Sequence, residues 1–119
     1  MKRLLEASMK ESFNSVMITE AGAGYPIIYV NSAFCELTIY RLHEVIGKSP
    51  SMLQGPNTDQ AVLERLSKDI SEGRLFHGQA INYRKNRSEF MMEWKIVPIR
   101  KEKDEITHYL AIQRDVNDQ

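Results

Sequence analysis

The stretch Asn31–Asp59, NSAFCELTIYRLHEVIGKSPSMLQGPNTD, constrains this chain more than any other. It is a series of short helical turns set between two strand-like halves. Asn31 is a good N-cap for the turn Ser32–Leu37, because its side-chain oxygen can accept a free backbone N–H. Gly47 stops the short apolar turn His43–Ile46, and Pro50, Gly55 and Pro56 punctuate the residues after it. Asn57 or Thr58 is placed to cap a longer helix, with Gln60 three residues after Asn57 in the manner of a capping box. Turns this short cannot form a core alone. The segment therefore folds over something: a sheet face, a ligand, or both.

The flanks supply the sheet. Ser15–Thr19 and Pro26–Val30 read as strands joined by the small-residue loop Ala21–Gly24, with Pro26 at a strand start where a missing N–H is tolerated. Asp59–Ser71 reads as the longest helix, its stripe Val62, Leu63, Leu66 and Ile70 turned inward and Gly73 its stop. Phe76–Lys85, Glu89–Arg100 and Ile106–Val116 read as three strands in hairpin succession, hence antiparallel. Residues 2–12 read as an amphipathic helix, with Leu5, Met9 and Phe13 along one side. The class is α+β, a single sheet with its helices gathered on one face. A chain of 119 residues is one domain. With 16 basic and 16 acidic residues interspersed, no block of like charge points to nucleic acid or a membrane surface. The apolar runs are too short for a membrane span or signal peptide. A single cysteine, Cys35, excludes an internal disulfide and fits a reducing cytoplasm. The polar end, residues 117–119, reads as the start of a linker to a further C-terminal domain.

Strand alternation sorts the side chains of the last three strands. One set is Gly78, Ala80, Asn82, Phe90, Met92, Trp94, Ile96, Tyr109, Ala111 and Gln113. It carries two amides, Asn82 and Gln113, which when buried either bond the backbone or each other, or address a polar ring edge of a ligand. The other set is Ile81, Tyr83, Met91, Val97, Ile99, Leu110, Ile112 and Val116. A set this apolar is expected to be covered by the N-terminal helix or by a second copy of the chain.

The wording of the chain resembles the PAS domain superfamily and, within it, the LOV (light, oxygen, voltage) branch. The matching pieces are Pro26–Asn31, Ala33-Phe34, Leu37-Thr38 with Tyr40, Glu44–Gly47, and Leu53-Gln54-Gly55 before Thr58-Asp59. Further on come Asn82–Lys85, Pro98–Arg100 and the acidic ending Asp115-Val116, so the likeness covers roughly residues 15–117. It implies a five-stranded antiparallel sheet in spatial order 2-1-5-4-3, short helices over one face, and an N-terminal cap helix before a domain spanning 14–116. LOV domains place a photoreactive cysteine four residues before the Gln of Leu-Gln-Gly; here that residue is Pro50. For a flavin site the resemblance implies Ser49, Leu53, Gln54, Asn82, Met92, Trp94 and Gln113. Ser49 stands for an Asn, Met92 for a second Asn and Trp94 for a Phe, while Ser51 and Ser67 replace the two arginines that clamp the phosphate. That loss of bidentate anion binding favours FAD over FMN if any flavin is bound, and otherwise another ligand or none.

Cys35 reads as a small core residue and not as a substitute photoreactive thiol. His43, His77 and His108 fit no metal-ligand spacing, and no nucleophile–base arrangement stands out. The reading is a non-catalytic sensory or regulatory domain of a larger signalling protein. It would sense a small ligand or redox state in its cavity and relay it through Gln113 and Asp115 on the last strand. The resemblance implies an output domain such as a histidine kinase or diguanylate cyclase. A homodimer is expected through Leu5, Met9, Ile81, Tyr83, Met91, Val97, Ile99, Leu110 and Ile112. The alternative is a ligand-free dimerisation module whose core Phe90, Met92 and Trp94 fill.

Overall fold

The computed structural model describes residues 14–102 and 105–117. The expected cap helix with Leu5 and Met9, and the linker beyond Asn117, lie outside the described residues. The elements are β1 (Ser15–Glu20), β2 (Ile27–Val30), α1 (Ser32–Thr38), α2 (Leu42–Val45), a 3-10 turn (Pro50–Leu53), α3 (Gln60–Ser71), β3 (Phe76–Tyr83), β4 (Glu89–Arg100) and β5 (Ile106–Asp115). The five strands form one sheet in the order β2-β1-β5-β4-β3, every pair antiparallel. This is the order the resemblance implies.

The register fixes two faces. Gln113 stands opposite Ser15 on β1 and Trp94 on β4, and Ala111 opposite Met17 and Ile96. These residues face the helical segment. Met17, Ile27, Val30, Phe34, Val45, Leu53 and Ala111 form one buried cluster, and Phe76, Ala80, Phe90, Met92 and Trp94 a second.

Asn31 joins the helical segment to the sheet. Its Oδ1 accepts from the Phe34 N–H at 3.0 Å, as the N-cap of α1, and from the Val16 N–H of β1 at 2.9 Å. Its Nδ2 donates to the Asn14 carbonyl at 3.1 Å.

The caps of α3 differ from expectation. Asp59 is its N-cap, with Oδ1 accepting from the Ala61 N–H at 2.9 Å. Asn57 and Thr58 serve the sheet edge instead. β3 is an edge strand with open backbone groups. Thr58 Oγ1 donates to the Ile81 carbonyl at 2.8 Å and accepts from the Gly55 N–H at 3.0 Å. The Asn57 N–H donates to the Tyr83 hydroxyl at 2.9 Å, and that hydroxyl donates to Glu89 Oε2 at 2.8 Å. Gly55 permits this closure, because a Cβ there would lie 2.3 Å from Tyr83 Cε1.

Arg84, just past β3, gathers three elements. Its Nε donates to the Leu37 carbonyl of α1 at 3.2 Å, its Nη1 to Ser88 Oγ and the Glu89 carbonyl at 3.3 Å each, and its Nη2 to Asp115 Oδ2 at 3.0 Å. Its guanidinium carbon lies 4.6 Å from the centre of the Phe90 ring, a favourable cation–π distance.

Candidate functional site

Between the inner face of the sheet and the helical segment lies a cavity of about 300 Å³. Its floor is sheet: Met17 and Thr19 of β1, Asn82 of β3, Met92, Trp94 and Ile96 of β4, and Tyr109, Ala111 and Gln113 of β5. Its roof is Ser49–Ser51, Leu53 and Gln54 around the 3-10 turn, and Leu63, Leu66, Ser67 and Ile70 of α3. The apolar stripe of α3 is only half-buried because it roofs this space and does not fill a core. Tyr25, Ser51 and Ser67 are exposed and mark the mouth.

All seven residues expected around a ligand, Ser49, Leu53, Gln54, Asn82, Met92, Trp94 and Gln113, line this one cavity, three from the roof and four from the floor. Met92 and Trp94 are buried on the floor but leave the space open. Phe90 shares the inner face with them, as expected, but packs in the second core cluster under Arg84 and does not line the cavity. Met17, a methionine the sequence offers for a pocket or an interface, lines the cavity, and alternation on β1 was a usable signal for Thr19, which sequence reasoning left out. Nothing in the local sequence announced Tyr25, brought to the mouth by its loop and packed edge-on against Tyr109 with ring centres 5.8 Å apart. Burial pushes the Tyr109 phenol above its ordinary pKa, with Tyr25 a smaller contributor, so it stays a neutral hydroxyl.

The amides are set from behind. Gln113 Oε1 accepts from Ser15 Oγ at 2.6 Å, and Asn82 Nδ2 donates to the Ala80 carbonyl at 3.2 Å. The remaining halves, Gln113 Nε2 and Asn82 Oδ1, have no partner among the described residues and open on the cavity. One is a donor and the other an acceptor.

These residues fit the polar ring edge of a flavin but not its phosphate. Among the described residues no charged side chain lines the cavity. Ser51 and Ser67 stand at the mouth, and Arg65 is turned away: its Nη1 donates to the His77 carbonyl at 2.8 Å and its guanidinium lies 4.9 Å over the Phe76 ring. Cys35 is half-buried against the neighbouring cluster and absent from the wall. Burial raises its pKa, away from the thiolate that reactivity requires. Pro50 lines the cavity as the first residue of the 3-10 turn and carries no thiol. Blue light on the chain loaded with any flavin should therefore leave the visible absorption band in place, since no thiol can add to the ring. Reversible bleaching that disappears in Cys35→Ala would refute this.

The outer face departs from expectation. Val97, Ile99, Leu110 and Ile112 share it as one apolar area, with Ile18 and Val16 alongside. Ile81 and Met91 are cut off from them by a polar belt. Glu93 Oε1 accepts from Arg114 Nε at 2.7 Å, and Glu93 Oε2 pairs with His77 Nε2 at 2.8 Å. The hydrogen bonds from His77, then Arg114, hold the Glu93 carboxyl below the usual carboxylate range. Tyr83, expected on this face, is 5 % exposed within the chain itself. It bends round the sheet edge under Gly55–Asn57, where its hydroxyl is bonded.

Among the described residues no three His, Cys, Asp or Glu side chains could hold a metal ion. No helix among them is long and apolar enough to cross a membrane.

Residues 14–118 match the PAS domain family. Phototropin-2 of Oryza sativa subsp. japonica is 34 % identical over 93 residues, 78 % of this chain and 10 % of that protein. A nitrogen fixation regulatory protein of Klebsiella oxytoca is 31 % identical over 103 residues, 87 % of this chain and 21 % of that protein. The chain thus spans a small part of these relatives. Among solved structures, the LOV domain of a blue-light activated histidine kinase of Erythrobacter litoralis superposes with a TM-score of 0.82 at 30 % identity, covering 87 % of this chain and 95 % of that one.

Proposed function

Since this chain belongs to the PAS domain family, in its LOV-like branch, we propose that it is a non-catalytic sensory module of a larger signalling protein. A small ligand, or the redox state of a bound cofactor, acts in the cavity and is relayed through β5 to an output domain joined at the C-terminal end. Its setting is the cytoplasm. The observation that carries the reading is the position of Gln113. Its side chain is fully buried, tied to Ser15 on one side and open to the cavity on the other. Two residues on, Asp115 ends the strand, bonded to Arg84 and to the Asn117 N–H. A change in what Gln113 bonds is a change at the strand that leaves the domain, and a signal needs only such a biased two-state element.

Hydrogen exchange tests this. Gln113→Leu should speed amide exchange over residues 114–117 while leaving the β3–β4 hairpin unchanged. Identical exchange in the variant and the parent would remove Gln113 as the relay.

The reading includes a homodimer through the apolar area of Val97, Ile99, Leu110 and Ile112. Burial of such a surface is worth roughly 25 cal/mol per Å² before the costs of association. Ile112→Asp would place an uncompensated carboxylate in the contact. Sedimentation should then show monomers where the parent is dimeric. A monomeric parent would overturn this part and leave the cavity reading untouched.

A further inference from the structure

Resting on the reading of the cavity as a sensory site, we propose that Tyr25 is its gate: the ring closes the mouth by lying edge-on against Tyr109, and swings clear on the glycine loop before it when a small molecule passes. The other parts of the rim are fastened. The roof helix α3 is tied to β3 just before its start by Thr58 Oγ1, which donates to the Ile81 carbonyl at 2.8 Å. Along its length Arg65 Nη1 donates to the His77 carbonyl at 2.8 Å. Past its end Arg100 Nη2 donates to the Gly73 carbonyl at 2.9 Å. The residues leading into the 3-10 turn are laced to β2: the Gly47 N–H donates to the Ile27 carbonyl at 2.7 Å, and the Ile27 N–H to the Lys48 carbonyl at 2.9 Å. Raising either part of the roof breaks hydrogen bonds that water must then replace.

The loop 21–25 is built differently. Its base is anchored, the Glu20 N–H donating to the Pro26 carbonyl at 3.0 Å and the Ala21 N–H to the Thr107 carbonyl at 2.9 Å. Its tip is not. Gly22 and Gly24 have φ of 125° and 78°, and a Cβ at either would meet nothing within 4 Å. The tip thus stands clear of the other described residues on two positions able to absorb a change of φ and ψ. Tyr25 follows with φ of 49°, a left-handed conformation uncommon for a non-glycine residue and one that persists only where its surroundings favour it. Its ring meets Tyr109 with centres 5.8 Å apart and planes at 78°. Tyr109 is buried on the floor, whereas Tyr25 is 39 % exposed at the mouth, so this one aromatic pair spans the opening from floor to rim. An edge-on pair favours the closed ring by about twofold to tenfold over its free rotamers, and exposed side chains change rotamer within nanoseconds. The ring is therefore closed most of the time and quick to open.

Trp94 reports on the gate directly. It is the chain's one tryptophan and lies 5 % exposed on the cavity floor, so acrylamide, a small uncharged quencher, must enter the cavity to reach it. Tyr25→Ala should raise the rate constant for acrylamide quenching of Trp94 by about twofold to tenfold, as the fraction of time the mouth is open rises towards one. Tyr25→Phe keeps the ring edge and should quench at the parent rate. So should Leu42→Ala, which alters an exposed residue of α2 away from the cavity. Where Tyr25→Ala melts below the parent, Tyr25→Leu carries the test, since it removes the ring pair and keeps an apolar side chain at the mouth; the same rise is expected. A rise in Tyr25→Phe as large as in Tyr25→Ala overturns the ring contact as the closure. An equal rise in Leu42→Ala shows entry by general loosening of the fold and overturns the gate. Parent and Tyr25→Ala quenched at the same measurable rate also overturn it, and the sensory reading survives with a cavity that stands open. If Trp94 is quenched in none of the chains, no small molecule reaches the cavity and both readings fall.

Discussion

Asn31→Ala should lower stability by about 2–4 kcal/mol, the cost of a lost N-cap together with a buried N–H left without an acceptor. The side chain is 3 % exposed and bonds Phe34, Val16 and Asn14 at once. Truncation orphans the first turn of α1 and the second residue of β1 together, and no water can reach either easily. For a domain of this size that loss corresponds to a melting temperature lower by roughly 6–15 °C. Asn31→Asp is the informative companion. It keeps both acceptor bonds but loses the Nδ2 donor and sets a carboxylate oxygen against the Asn14 carbonyl, so it should recover part of the loss at neutral pH. Equal melting temperatures for the two variants would show that the acceptor bonds are not what holds α1 to the sheet.

Gly55→Ala should cost a comparable amount, about 2–4 kcal/mol, because overpacking adds to a broken hydrogen bond. The added Cβ would fall within 2.3–2.8 Å of three atoms of the Tyr83 ring. That ring cannot yield freely, since its hydroxyl is held by the Asn57 N–H and by Glu89. Moving it exposes the Ile81 edge that Thr58 closes. In a double-mutant cycle with Tyr83→Ala, the two losses should fall short of additive by about 1 kcal/mol or more, as for residues in contact. Strict additivity in chemical denaturation would place the strain elsewhere.

How legible the molecule was in its sequence depended on the range of the interactions involved. Period-two alternation put Asn82, Met92, Trp94 and Gln113 on one wall, because a strand leaves its side chains no other choice. Asn31 was readable as a cap because its partner Phe34 is three residues away. Its second acceptor bond, to Val16, was not, since β1 precedes it by a loop and a strand. Asn57 and Thr58 look like caps by type, and their hydrogen-bonding capacity went to a sheet edge that local sequence does not announce. The same limit hid the outer belt. Glu93, Arg114 and His77 sit on three different strands, and their meeting follows from register alone. The strand order came from the likeness to PAS domains, since hairpin logic orders β3, β4 and β5 but does not place β1 beside β5.

Arg84 has a mechanical consequence. A guanidinium is planar and stiff, so groups bonded round its rim keep fixed bearings to one another. The end of α1, the β3–β4 turn and the last residue of β5 are all fastened to that one plane. They turn as one body, and the cavity cannot gape at this end without breaking several bonds together. At the far end stand Tyr25, Ser51 and Ser67, exposed and neutral. The molecule thus has a braced side, gathered on the one guanidinium of Arg84, and an open side, at the tyrosine and the two serines.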